Sequence, residues 1–206
     1  LGLRIKQLKE KLRKLGQQRG MQRRARKRSK ALSVSIVGYT NAGKSTLFNR
    51  LTHESIYAED KLFATLDTTS RKLFVQPGHS FVISDTVGFI KNLPTTLIEA
   101  FKSTLEEVTQ SNLLIHVVDV SNENRSEQIK EVEKILREIE AHELPQILVL
   151  NQIDKINIKT SCERDDYGKI NHIQLSAKTG DGIEFLKQAM VEYNQTQINQ
   201  RNGYYA

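Results

Sequence analysis

The sequence predicts an α/β fold: a mostly parallel β-sheet with helices on both faces, preceded by a short basic helical segment. Two observations predict it. From Ala31 onward, short β-branched runs alternate with stretches of helical periodicity, the pattern of strands joined by crossover helices. Between the first such run and the first helical stretch lies Gly38-Tyr39-Thr40-Asn41-Ala42-Gly43-Lys44-Ser45, a G-x-x-x-x-G-K-S turn in the strand-to-helix setting of P-loop NTPases. With 206 residues, 38% of them hydrophobic, the chain can bury one sizeable core and a short segment beside it.

The elements follow in order. Leu1, Ile5, Leu8, Leu12 and Leu15 recur at steps of four and three, a heptad stripe with Lys and Arg on the other faces. Gly16 and Gly20 interrupt it, and a cluster from Arg19 to Lys30 follows. The stripe starts in mid-pattern, so residues 1–30 read as the end of a longer helical arm. Val34–Val37 is a strand and Lys44–Leu51 a helix. Lys72–Gln76 and Phe81–Asp85 are strands around the Pro77-Gly78 turn. Helix Leu97–Thr109, strand Leu113–Asp119, helix Ser126–His142 and strand Gln146–Asn151 come next. Strand Ile173–Leu175 and helix Gly182–Tyr193 close a domain over residues 31–193, and 194–206 read as a weakly ordered polar tail. Residues 52–70 and 86–96 lack periodicity and follow motifs; they are candidate mobile loops.

Charge divides the chain. Residues 1–30 hold 13 Lys/Arg against Glu10 alone, a net of +12, while residues 31–206 hold 18 Lys/Arg against 23 Asp/Glu, a net of −5. A polyanionic partner is therefore to be sought through the arm. No run approaches the 18 or so apolar residues of a membrane span. The N-terminal stretch lacks the uncharged centre of a signal peptide. The single Cys162 forms no internal disulfide, and no Cys/His cluster has metal-ligand spacing. These features fit a cytoplasmic protein, expected to be a monomer.

Each motif has a chemical reason. Gly38 and Gly43 let the backbone from Gly38 to Thr46 curl so that N–H groups face phosphates at a helix N-terminus. Lys44 brings a point charge to the β- and γ-phosphates, and the Ser45 hydroxyl can ligate Mg²⁺. Asp85-Thr86-Val87-Gly88 ends a strand 40 residues after Ser45. There a carboxylate can hold the magnesium shell and the Gly88 N–H can reach the γ-phosphate. Phe63-Ala64-Thr65-Leu66-Asp67 lies in the loop between. A Thr there, with Thr68 and Thr69 as rivals to Thr65, could join the metal only while the γ-phosphate is present.

The purine is read elsewhere. Asn151-Gln152-Ile153-Asp154 and Ser176-Ala177-Lys178 end consecutive strands. A carboxylate at Asp154 can accept from both guanine N1–H and the 2-amino group, a donor pair adenine lacks. Asn151 can bond the Hoogsteen edge and tie this loop to the P-loop, and the Ala177 N–H can donate to O6. The ligand implied is GTP or GDP rather than ATP.

These residues resemble the HflX family of ribosome-associated GTPases: GYTNAGKS at Gly38–Ser45, FATLD at Phe63–Asp67, DTVGFI at Asp85–Ile90 and NQID at Asn151–Asp154. The likeness covers about residues 31–193, and the basic segment is similar to the end of that family's arm. It implies a GTPase that binds the large ribosomal subunit through ribosomal RNA and helps to rescue or dissociate stalled ribosomes. It also implies Thr65 as the switch ligand of the metal. The chain departs from the family in two places. Gln152 stands where a Lys is usual, and Asp67-Thr68-Thr69-Ser70-Arg71 lacks the family's proline. Phe89 occupies the place where many GTPases carry a water-orienting Gln, so slow hydrolysis without a partner or cation is expected. Asn41 resembles the asparagine of potassium-activated GTPases and suggests K⁺ near the phosphates, with Lys44, Thr65 and Gly88 completing the catalytic set. The alternative reading is a nucleotide-gated RNA-binding or membrane-surface module with little hydrolysis. A basic amphipathic segment also suits peripheral attachment to acidic lipid.

Overall fold

A computed structural model of the chain describes residues 31–53, 69–86, 88–89 and 102–203. A unit boundary falls between Ala31 and Leu32. Within the second unit, β1 (Leu32–Gly38) is followed by α1 (Lys44–Thr52), β2 (Thr69–Gln76) and β3 (His79–Asp85). Then come α2 (Lys102–Thr109), β4 (Leu113–Asp119), α3 (Arg125–Glu138), β5 (Gln146–Asn151), β6 (Ser161–Arg164), β7 (Ile170–Gln174) and α4 (Ile183–Gly203).

The strands form one seven-stranded sheet in the order β2-β3-β1-β4-β5-β7-β6. The inner strands run parallel; β2 pairs antiparallel with β3, and β6 with β7. Strand order reverses at β1, whose neighbours β3 and β4 both follow it in sequence. That reversal opens a crevice at the carboxyl ends of the strands, where open α/β sheets bind ligands. Register brings the motif ends to this edge: Ile36 lies opposite Asp85, Gly38 opposite Val117, and Asp119 opposite Asn151.

Helices cover both faces, which is why the central strands read as continuous apolar runs. On one face Val34, Ile36, Ile83, Val117 and Val149 pack with Leu47, Phe48 and Leu51 of α1 and Leu186 and Met190 of α4. On the other, Val37 and Leu114 pack with Leu105 and Val108 of α2 and Val132, Ile135 and Leu136 of α3. Each such fully buried side chain stabilises the fold by about 1.5–3 kcal/mol. The sites at the sheet edge therefore stand on a rigid base.

The structure corrects several expected bounds. The helix expected to reach His142 ends at Glu138. Glu140 adopts φ 59, and the Glu140 and Ala141 N–H groups close back on the Arg137 and Leu136 carbonyls at 3.0 and 2.7 Å. This is a Schellman stop made without glycine, so the sequence carries no stop signal. The tail expected over 194–206 is helical as far as Gly203. Asn194 is buried and bonds His79 at 3.0 Å, while the Tyr193 hydroxyl donates to the Asn112 carbonyl at 2.6 Å. Strand β6 was not expected at all, and β7 begins at Ile170 rather than Ile173. Of the expected loops, Thr52 closes α1 and Thr69 and Ser70 open β2. Residues 54–68, Val87 and 90–101, with the Phe63–Asp67 motif and the first half of the Leu97–Thr109 helix, lie outside the described residues, as does the arm. Among the described residues, no helix is long and apolar enough to cross a membrane.

Candidate nucleotide-binding site

The phosphate end is built where β1 turns into α1. Gly43 takes φ 89 immediately before the helix. A side chain there would be strained in backbone and would also collide with the Asn151 amide. The turn thus brings Asn151, at the end of β5, against the P-loop. Asn151 Nδ2 donates to the Ala42 carbonyl at 2.9 Å, and its Oδ1 accepts from the Ala177 N–H at 2.9 Å. One buried side chain therefore ties the P-loop, the end of β5 and the loop after β7 together.

Lys44 opens α1 and is 6% exposed, with its Nζ donating to the Tyr39 carbonyl at 2.7 Å. Burial pushes its amine down to about 8, and the Asp85 carboxylate opposes that shift. A polyphosphate at this point would restore the full charge, so the lysine is poised for an anion. Ser45 Oγ donates to Asp85 Oδ2 at 2.6 Å. Two hard oxygen donors from β3 and α1 thus converge beside the lysine, a donor set that suits Mg²⁺ completed by phosphate oxygens and water. Thr46 continues α1 one position on, half-buried.

The segment after β3 is fastened to the P-loop. Thr86 Oγ1 donates to the Ile36 carbonyl at 2.6 Å. Past Val87, the Phe89 N–H bonds the Gly38 carbonyl at 3.1 Å and the Thr40 N–H bonds the Phe89 carbonyl at 2.9 Å. A Cβ on Gly88 would lie 2.8 Å from Thr40 Cγ2 and 3.0 Å from Lys44 Nζ. A side chain at this position would crowd the P-loop residues Thr40 and Lys44. Phe89 is 1% exposed and packs with Val37, Leu105 and Val108. It is a core side chain.

The base end lies across the same edge. Gln152 adopts φ 68 after β5, and Ile153–Lys155 form a single 3₁₀ turn. Ser176 Oγ donates to Asp154 Oδ1 at 2.7 Å, fixing one carboxylate oxygen; Oδ2 has no hydrogen-bond partner among the described residues. Lys155 Nζ lies 3.6 Å from Asp119 Oδ2 and braces the turn against β4. Gln152 Nε2 donates to the Asn41 carbonyl at 2.9 Å. This neutral amide links base loop and P-loop, and it brings no charge where a lysine would bring one. The Ala177 N–H expected to serve a purine O6 is engaged by Asn151, so an O6 would share that proton. Asn41 is exposed with φ 62. Arg50, on the last turn of α1, was not expected to matter: its guanidinium bonds the carbonyls of Ala177, at 3.0 Å from Nε, and of Lys178. No sequence signal marks it, since a long cation at a helix end reads as solvated.

Fold and site together define a P-loop GTPase domain. Residues 33–152 match the family model described as 50S ribosome-binding GTPase. Residue by residue, the chain is similar to GTPase HflX of Escherichia coli K12, 47% identical over 92% of this chain and 45% of that protein. It is similar also to GTPase HflX of Caldanaerobacter subterraneus subsp. tengcongensis, 50% identical over 91% of this chain and 42% of that one. The chain belongs to the 50S ribosome-binding GTPase family, on its HflX branch. It spans less than half the length of those curated relatives.

Among solved structures, it is similar to a GTP-binding protein from Sulfolobus solfataricus in complex with GDP. The TM-score is 0.63 at 27% identity, covering 86% of this chain and 56% of that one. A variant of Aquifex aeolicus Era shares the fold, with TM-score 0.63 at 19% identity over 79% of this chain and 56% of that one.

Proposed function

We propose that the chain binds GTP with Mg²⁺, hydrolyses it, and acts in the cytoplasm on the large ribosomal subunit, in rescue or dissociation of stalled ribosomes. The observation that carries the guanine reading is the joint held by Asn151. The turn bearing Asp154 and the loop bearing Ser176 and Ala177 are joined to each other and bolted to the Ala42 carbonyl, so a purine edge and a phosphate tail must fit one fixed span.

In hydrolysis, water oxygen bonds the γ-phosphorus as the bond to the bridging oxygen breaks, giving GDP and phosphate. Lys44 and the P-loop amides hold the phosphate tail, and the Gly88 N–H faces the γ-phosphate. Ser45 and Asp85 would hold Mg²⁺ with Thr65, and the ion would supply charge neutralisation on the β- and γ-oxygens. Nothing at Phe89 positions the water, because that side chain is buried in the core. Turnover by the protein alone should be slow, with the ribosome supplying the missing order. Asn41, exposed beside the phosphates, is the residue through which K⁺ would add charge; matched KCl and NaCl then give different rates, and equal rates remove the potassium site.

Asp154→Asn tests the base reading. The amide puts a donor against guanine donors, so GDP affinity by titration calorimetry should fall by about two orders of magnitude or more. Unchanged affinity would overturn it.

A further inference from the structure

The two ends of the site are joined a second time, by α1 itself. The helix begins at the phosphate cradle and carries Arg50 on its last turn, about 9 Å further along at 1.5 Å per residue. Leu47, Phe48 and Leu51 of this helix are fully buried, so α1 is a strut set into the sheet.

From its last turn, Arg50 reaches the loop after β7. Nε donates to the Ala177 carbonyl at 3.0 Å, a second guanidinium nitrogen donates to the Lys178 carbonyl, and the guanidinium lies over Gly180, where an added Cβ would stand 3.8 Å from Cζ. The loop is otherwise closed on itself: the Gly180 N–H bonds the Ser176 carbonyl at 2.8 Å, and the Ser176 N–H bonds the Asp181 carbonyl at 2.9 Å. These internal bonds set the loop's shape but not its distance from the phosphates. Asn151 takes the Ala177 N–H from one side, and Arg50 takes the carbonyls that follow from the other.

We infer that Arg50 is a positioning residue for guanine recognition, holding the Ser176–Lys178 loop at the distance from the P-loop that a guanosine polyphosphate spans. It touches neither base nor phosphate. The planar fork matters, because it serves two successive carbonyls at once; a lysine offers a single point charge and can hold only one. The inference rests on the guanine reading proposed above, and the following experiment separates the two.

Fluorescent GDP release and titration calorimetry would be run on the full chain with Mg²⁺, alongside inorganic pyrophosphate as a ligand for the phosphate end alone. Loss of two charge-assisted bonds from a partly exposed group should weaken GDP binding about tenfold in Arg50→Ala, mainly through faster release. Pyrophosphate affinity should stay within about twofold, because the cradle is untouched, and Arg50→Lys should fall between wild type and Arg50→Ala. Thermal melting without nucleotide reports a purely structural role. If Arg50→Ala fails to fold, Arg50→Gln, which keeps one donor, replaces it with the same expected split.

Equal GDP release in wild type and variant overturns the inference alone. So does a parallel loss of pyrophosphate affinity, or wild-type behaviour in Arg50→Lys. Absence of GDP binding by folded wild type overturns the guanine reading, and this inference with it.

Discussion

His116 is a histidine in the wrong place for solubility and the right place for a test. It sits on β4 opposite Val37 and Leu148, 3% exposed, and its Nε2 has no hydrogen-bond partner among the described residues. Burial, and then the nearby Lys44 charge, push its imidazole down from 6.5 to about 4. The folded state therefore holds a neutral ring where the unfolded chain would bind a proton. Stability from this group is intact above pH 6.5 and is lost as pH falls toward 4, on the order of 3 kcal/mol in all. His116→Leu should flatten this part of the acid limb and, by removing an unsatisfied polar atom, raise stability at pH 7 by about 1 kcal/mol. Urea unfolding of both proteins at pH 7 and pH 5 measures it; equal losses in the two would show that His116 is not the group titrating. The sequence could not announce this residue, because a histidine in an apolar strand run gives no sign of which neighbours it meets. The tie from Asn151 to the P-loop was legible for the opposite reason: an Asn that ends a strand beside the P-loop has that loop within reach.

At the scale of elements, the parallel core was legible because both of its faces are buried and the runs are continuous. Its margins were not. The β6 segment Ser161–Arg164 is short, polar and half-exposed, and it exists because β7 offers an unpaired edge. The stop of α3 is a local closure at a left-handed Glu140 that no glycine marks, and α4 beyond Tyr193 is tied to the sheet by Asn194 and His79. The bolt from Thr86 Oγ1 to the Ile36 carbonyl was likewise invisible, since D-T-V-G reads as a metal and phosphate motif. Thr86→Val keeps the shape and removes this buried bond at the exit of β3. It should cost about 1–2 kcal/mol, seen as a melting temperature lower by about 2–6 °C, and weaken magnesium-dependent GDP binding with it. Loss of binding at an unchanged melting temperature would mean that the hydroxyl serves the ligand and not the strand.

At the scale of the whole molecule, charge is divided between two parts of the chain. A nucleotide-binding domain with a net of −5 has no general attraction for RNA, whereas the first 30 residues carry +12. If the ribosome is the partner, affinity should come largely from counterions released by the arm. The logarithm of affinity should then fall linearly with the logarithm of salt, by about 0.7–0.9 per phosphate neutralised. Replacing Arg23, Arg24, Arg26, Lys27, Arg28 and Lys30 with Gln in the full chain should lower that slope by up to about 5 and weaken binding to purified large subunits at 50 mM salt by several orders of magnitude. GDP affinity should not change, since every residue proposed for the nucleotide site lies beyond Ala31. A slope that survives the six replacements, and survives replacement of the other seven Lys/Arg of residues 1–30 as well, would place the RNA contact on the acidic domain itself. Attraction would then have to come from local groups such as the exposed Arg71 and Lys72 of β2 against the net field of the domain.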